Sequence, residues 1–480
     1  MLKIFIVEDK DIVQLYANEN HKGMILKKAS NLHENTIQPG DVIKICGYLI
    51  PDSLMKITHH WGSNPFLFEK YWDVESLIAE SDDAFHYSIQ PSCRITNRRG
   101  SLSREYPLIE SIDCLADLLE PDAIVYYDFD QVAYQAAASC EKRTIEVTHK
   151  ASGRKKVFKT RTEFWGRQKN AVGGWLKAEN TNREAACKKA GKEFIPWTRE
   201  DFDVLDIQTP DPVENCLHTI KCKANAVLNY LGIPEDRCVG VLGGTGNFRL
   251  DLPMPERYKA NRNNTLRPLL LEDARQYLQK QYNAQVINGI EADDWLAIQQ
   301  FEGWNHYQKT GKFNKFIISI DKDQRTLPGL VFDPMRNDKG DFVRETPMLI
   351  DNGMGNIFMK PNGDVGGYGM LFFGYQMLCG DSADNIKPYQ GLIGKGKFGD
   401  ASAFSLLSQC STPKEMWLAI IDQYKKWFPK GAVKYTDFNG IDRRISVGQW
   451  MSIIFDCLYM KRTFNDQTKL VNVLRNVGAI

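Results

Sequence analysis

What most limits the folds open to this chain is the form of three apolar runs, "AIVYYDFD" (123–130), "CVGVLGG" (238–244) and "KFIISIDKD" (315–323). Each is apolar at consecutive rather than alternate positions, which predicts a strand covered on both faces, as in parallel sheets. Helical patterns at 213–231 and 268–283 lie between them. Strands alternating with helices predict a doubly wound α/β core. Functional side chains in such sheets collect at the carboxyl ends of the strands.

A length of 480 residues leaves room for two or three domains. Residues 1–118 carry short strand-like runs ("KIFIVE", "DVIKICGYLI") and a predicted helix around 69–80, and read as a small accessory α/β domain. Residues 119–385 hold the α/β core. Residues 386–480 open on the glycine–lysine stretch "PYQGLIGKGKFG" (388–399) and continue as helices, the clearest predicted at 446–462.

Acids punctuate the apolar runs. "YYDFD" places Asp128 and Asp130 at a strand end, and "GIEADDWLA" places Glu291, Asp293 and Asp294 at the mouth of a helix. "ISIDKDQ" sets Asp321 and Asp323 two apart, predicted on one face of a strand end. "LCGDSADNI" sets Asp381 and Asp384 three apart, predicted on one helical face. Two carboxylates about 4 Å apart repel by roughly 4 kcal/mol at an effective dielectric near 20. One such cluster is explained by a helix start, where the macrodipole favours acids. Four clusters converging on one rim of the sheet need cations. Oxygen-only donors select hard ions, Mg2+ or Mn2+. A pair of these about 4 Å apart serves phosphodiester hydrolysis.

Basic residues supply the complementary half. In "FRLDLPMPERYKANRNN", Arg249, Arg257, Lys259 and Arg262 surround Tyr258, a phosphate-binding set with an aromatic able to stack on a base. A solvated loop is the plainer alternative. In 388–399, Gly391, Gly394 and Gly396 leave backbone N–H groups open beside Lys395 and Lys397, a turn able to hold a DNA backbone without reading sequence. From 142 to 199 Lys and Arg are interleaved with Trp165, Trp175 and Trp197, either a DNA-facing insert or an ordinary helical surface.

Composition narrows the classes. A net charge of +1 announces no global field, so any nucleic-acid signal is local. Eleven cysteines without a CxxC pair argue against a disulfide framework or zinc site and for a reducing compartment. The start "MLKIFIVEDKD" carries acids where a secretory peptide needs apolar residues. "YGMLFFGYQMLCG" is too short and glycine-broken to span a bilayer. A soluble intracellular protein with no membrane partner is expected.

With these pieces in order, "YYDFDQVAYQA", "ERYKANR", "GIEADDWLAI", "FIISIDKDQRTLPG" and "CGDSADNI…GLIGKGKFG", the chain resembles the 5′-nuclease superfamily of flap endonucleases and 5′→3′ exonucleases. "YKANR" and "DKD" look most like the phage 5′→3′ exonucleases. The resemblance covers about 120–465. It implies a PIN-like α/β fold with a helical arch, built here from about 263–288, and a helix-hairpin-helix-type element. It implies two Mg2+ or Mn2+ ions, the first on Asp128, Glu291 and Asp293, the second shaped by Asp321, Asp323, Asp381 and Asp384, with Asp294 between. Lys259 and Arg262 would contact the scissile phosphate. The 388–399 loop would grip duplex DNA, with or without a monovalent cation. The implied activity is removal of nucleotides from 5′ ends of DNA, with flap or RNA-primer cutting as further options. The setting would be phage replication or recombination in a host cytoplasm. Double-stranded DNA with a 5′ end, flap or nick is the implied partner, and an RNA–DNA hybrid a further one. One departure stands out: the aspartate that usually ends the second strand is Gly244, or Gly243, in "VLGGTGNFR", with Asp130 and Asp251 as the nearest substitutes. The competing reading is a structure-specific DNA-binding protein weakened by that loss.

Overall fold

In the computed structural model, residues 106–167, 173–389 and 398–480 are described, together with the backbone of the short strands Lys3–Ile6, Ile12–Tyr16, Lys44–Ile45, Tyr48–Leu49 and Leu67–Phe68. The helix expected at 69–80 and the residues of 390–397 lie outside the described residues.

The elements that position the site follow in chain order. They begin with β1 (Leu119–Asp128), α1 (Phe129–Ser139), β2 (Glu141–His149), β3 (Lys155–Phe158) and α2 (Trp175–Lys189). Next come β4 (Phe202–Pro210), α3 (Val213–Leu231), β5 (Cys238–Gly243), α4 (Leu271–Gln281) and α5 (Ala292–Thr310). The chain continues through β6 (Phe313–Ile318), β7 (Gly329–Phe332), β8 (Met348–Ile350) and α6 (Gly369–Cys379). It ends in α7 (Pro413–Trp427), β9 (Ala432–Thr436), β10 (Asp442–Ser446) and α8 (Val447–Leu458). All three predicted apolar strands form, as β1, β5 and β6. No helix among the described residues is long and apolar enough to cross a membrane.

The chain divides into two compact units, Met1–Tyr127 with Gly244–Asn263 and Ile287–Ile480, and Asp128–Gly243 with Asn264–Val286. The expected divisions after 118 and 385 both fall inside the first unit.

In the first unit, β6 runs parallel to β1, with Phe316 opposite Val125 and Ile318 opposite Tyr127. It also runs parallel to β7, and β7 pairs antiparallel with β8, so the sheet is mixed and mostly parallel. Phe316, Ile317 and Ile318 are fully buried, which explains their unbroken apolar run. Each such side chain contributes about 1.5–3 kcal/mol by leaving water. α5 packs on β6 and β7, and Gly303 permits the approach, since a Cβ there would lie 2.6 Å from the Lys315 carbonyl oxygen. A second core gathers Met377, Trp417, Ile420, Tyr424, Trp450 and Ile454 from α6, α7 and α8. The capping boxes Thr412–Glu415 and Ser446–Gln449 start α7 and α8. The β9–β10 hairpin between them lies in a segment whose sequence predicts helices only.

The second unit packs α1, α3 and α4 against one another. The stretch expected to form an arch thus contains α4, whose Ala274 and Leu278 are fully buried in this unit. The basic stretch 142–199 is largely sheet. β2 pairs antiparallel with both β3 and β4, and Trp165, Trp175 and Trp197 pack on the Phe158–Phe164–Phe202 core of that sheet. Their spacing served packing rather than an aromatic row facing outward.

Candidate metal centre

The mouth of α5 answers the question of its three acids one by one. Asp294 is fully buried and receives Arg249 in two bonds, Nη1 at 2.6 Å and Nη2 at 3.0 Å, plus the Lys461 N–H at 3.1 Å. Arg249 is itself 1% exposed, and its other donors go to Glu291 (2.9 Å), the Cys457 carbonyl (2.8 Å) and the Tyr459 carbonyl (2.7 Å). All five guanidinium hydrogens are engaged. Burial works against this charge, but Asp294 and Glu291 hold its pKa above the ordinary value. Arg249 therefore anchors the fold and does not meet DNA, and Asp294 is committed to it rather than placed between two ions. These are corrections to the sequence reading.

Tyr258 is corrected in the same way. It is 5% exposed, and its hydroxyl lies 2.7 Å from Asp384 Oδ2 and 3.1 Å from Glu291 Oε2, donating to one carboxylate at a time. Burial and both carboxylates raise its pKa. Its neighbour Lys259 has a left-handed backbone (φ +57°) and donates its N–H to the Asp384 carbonyl at 3.0 Å. Asn385, also left-handed (φ +63°), donates its side-chain amide to the Arg257 carbonyl at 3.1 Å. Two non-glycine residues in this sparsely populated region face each other across the site, and such strain persists only where surrounding bonds enforce it. The Lys259 ammonium lies 2.5 Å from Glu291 Oε1 and 3.6 Å from Asp384 Oδ2. Burial opposes its charge, yet those two acids raise its pKa. Arg262 pairs with Asp384 and remains half exposed.

The other acids stand on turns. After β6, Ser319 Oγ accepts the Asp321 N–H (3.0 Å) and Asp321 Oδ1 accepts the Asp323 N–H (2.9 Å), so the chain bends twice. Asp321 and Asp323 are thus not on one face of an extended strand. The side chains compete for backbone donors and end the strand early. After α6, Gly380 (φ +74°) breaks the helix, and Asp381 and Ile386 exchange backbone bonds of 3.0 and 2.8 Å. Asp381 and Asp384 share this bridged turn rather than a helical face.

These turns bring three carboxylates together. Oxygens of Asp323, Asp381 and Asp384 lie within 4.8 Å of one another. Lys322 pairs with Asp381 and lies 3.5 Å from Asp323. Burial, and then the charge of Asp321, push Asp323 up to about 7. Gln376 of α6 donates its amide nitrogen to Asp323 Oδ1 at 2.5 Å, while its own oxygen is buried without a partner among the described residues. Octahedral Mg2+ or Mn2+ binds oxygens at about 2.1 Å, so opposite ligands stand about 4 Å apart. An oxygen-only set at this spacing, with an orphaned amide oxygen beside it, fits such an ion.

Three of the four acids expected around the second ion are therefore gathered. Among the described residues, Glu291 and Asp293 join no comparable group. Glu291 is held by Arg249, Lys259 and Tyr258 instead, and the Asp293 carbonyl accepts from Gln324 at 2.9 Å. Asp128 belongs to the second unit, where it caps α1 and accepts the Asp130 N–H at 3.2 Å. Asp130 accepts the Gly243 N–H at 2.5 Å and pairs with Arg275, so it is not available as a stand-in. At Gly244 a Cβ would collide with the Asn288 amide oxygen and lie 2.5 Å from the Ile287 carbonyl. The Gly244 N–H bonds that same carbonyl at 2.8 Å. The missing acid is thus excluded by the local backbone. Gly391, Gly394, Lys395, Gly396 and Lys397 lie outside the described residues, and with them the monovalent-cation loop.

Sequence reasoning missed Lys322 and Gln376. Both left a trace: a lysine framed by two acids in "DKD", and one amide within the apolar helix "GMLFFGYQMLCG". No family model matches the chain, and no curated protein matches it significantly.

Proposed function

We propose that this chain is a divalent-cation-dependent nuclease of the 5′-nuclease type, with a PIN-like catalytic core, that hydrolyses DNA from 5′ ends. The observation that carries this reading is the meeting of Asp323, Asp381 and Asp384, from two distant turns, with Lys259 and Arg262 both bordering Asp384. A bound Mg2+ or Mn2+ would supply an activated water and charge neutralisation at phosphate. The chain's own residues do the rest. Asp323, Asp381 and Asp384 hold the ion. Arg262, half exposed and fork-shaped, is suited to a phosphodiester oxygen, and Lys259 adds a second fixed positive charge beside it. The two-ion pattern implied by the resemblance would need Glu291 to exchange Lys259 for a metal.

That engagement of Glu291, with the closed space at Gly244, favours a second reading: a DNA-binding protein of the same architecture without turnover. Incubating the protein with 5′-labelled nicked and flapped duplexes separates the two. The nuclease reading expects short 5′ products with Mg2+ or Mn2+, abolished by chelation and by Asp323→Ala. Binding without cleavage under either ion selects the second reading, and neither binding nor cleavage removes both.

A further inference from the structure

Helix α6 is apolar along nearly its whole length, and Gln376 is its exception, 1% exposed among Phe372, Met377 and Leu378. A leucine or methionine would fill that place without leaving a polar atom unpaired. The amide faces the carboxylate triad: its nitrogen donates to Asp323 Oδ1, and its oxygen has no partner among the described residues. Which amide end points at the carboxylate follows from the charge in the site. A bare carboxylate attracts the N–H end. A cation held on that carboxylate repels the N–H end and attracts the carbonyl oxygen, a good ligand for hard ions.

We infer that Gln376 is a positioning residue and neutral oxygen ligand of the cation site, fixing Asp323 through its nitrogen while the site is bare and turning its oxygen to the divalent ion when one binds. The inference rests on the metal site proposed above. In the metal-free site, where Asp321 already stands beside the three carboxylates, an amide adds an oxygen without adding repulsion. The helix also gives the ligand rigidity that the two turns lack, since the residue is packed on all sides.

The test is Mn2+ binding to the full chain without DNA, read from the loss of the free-ion electron paramagnetic resonance signal. Wild type, Asp323→Asn, Gln376→Met and Gln376→Glu are compared. Gln376→Met is expected to weaken Mn2+ binding about tenfold or more, as supporting groups in metal sites do. Its unfolding midpoint in chelator should equal or exceed that of wild type, which a merely structural role would not allow. Gln376→Glu keeps an oxygen at the same reach and is expected to bind Mn2+ at least as tightly as wild type. Wild-type affinity in Gln376→Met overturns the inference. So does weakened binding in Gln376→Glu, which decides the matter if the methionine variant does not fold. Wild type failing to bind Mn2+ at all overturns the metal site itself. Loss in Asp323→Asn with no change in Gln376→Met overturns only the role given to Gln376.

Discussion

Asp323→Asn is expected to stabilise the metal-free protein, and to do so more strongly as pH rises. Burial and the Asp321 charge push the Asp323 carboxyl from 3.8 up to about 7. Below the unfolded-state value both states keep the proton, and the residue carries no penalty. Between about 4 and 7 the unfolded chain ionises while the folded one holds its proton, so stability falls with rising pH. Above 7 the full penalty is present. At about 1.4 kcal/mol for each tenfold step, it amounts to about 4 kcal/mol at pH 8. Asparagine cannot ionise. It also forgoes the Lys322 attraction, which acts only on the ionised carboxylate and is already part of the raised pKa, so the difference between the two pH values measures the net penalty of ionising Asp323 in the fold. That difference is about 3 kcal/mol between pH 5 and pH 8, or several degrees in unfolding midpoint. Denaturant unfolding in chelator at both pH values measures it. Adding Mn2+ at pH 8 should stabilise wild type and leave the variant unmoved. An Asp323→Asn advantage that is equal at pH 5 and pH 8 would refute the reasoning.

Removing Arg249 by Arg249→Met leaves the buried Asp294 without its counter-charge, and should destabilise the fold by about 3–5 kcal/mol in denaturant titration. A change below 1 kcal/mol would show the pair to be dispensable. Gly244→Asp, which supplies the acid expected from the resemblance, should destabilise by about 1–3 kcal/mol and not raise cleavage, because Asn288 and the Ile287 carbonyl fill the space. A faster enzyme of unchanged midpoint contradicts this. Lys259→Ala and Arg262→Ala should each slow cleavage about 10²–10³-fold while circular dichroism stays native, as for other groups that stabilise developing charge. Without DNA, calorimetric Mn2+ titration should show one tight ion per chain; two tight ions would mean that Glu291 leaves Lys259 unaided.

The strands were legible because burial on both faces forces unbroken apolar runs; β5 matches its run to a residue, whereas β1 begins four residues before its run and β6 ends five residues short of it. The pairing of Asp381 with Asp384 was read from a helical spacing, and the two residues do meet, but through the Gly380 break and the Asp381–Ile386 bridge. Spacing predicts neighbours more safely than it predicts the element that makes them so. Arg249 looked like a phosphate ligand because sequence does not show that Cys457 and Tyr459, over two hundred residues on, supply carbonyls to its guanidinium. Partnerships at such separation leave no local pattern. Trp165, Trp175 and Trp197 stayed ambiguous for a different reason: aromatics between basic residues suit a DNA-facing insert and an ordinary surface alike, and the sequence does not show that they pack on a small sheet core.

Crowded carboxylates suggested cations, and the chain supplies several of its own. Arg249, Lys259, Arg262 and Lys322 face Glu291, Asp294, Asp323, Asp381 and Asp384, so five of the seven acids of this region have a partner of opposite charge within 4 Å. Counted fully ionised, the seven acids against these four bases leave an excess of three negative charges. One divalent ion nearly cancels that excess. A second would leave the region positive until a negative group arrived, so on the nuclease reading proposed above a second ion and the DNA phosphodiester would favour each other. The fixed lysines and arginines thus do more than relieve repulsion in the metal-free fold. If the proposed metal site is loaded, they would limit how many ions it accepts before a nucleic-acid substrate arrives.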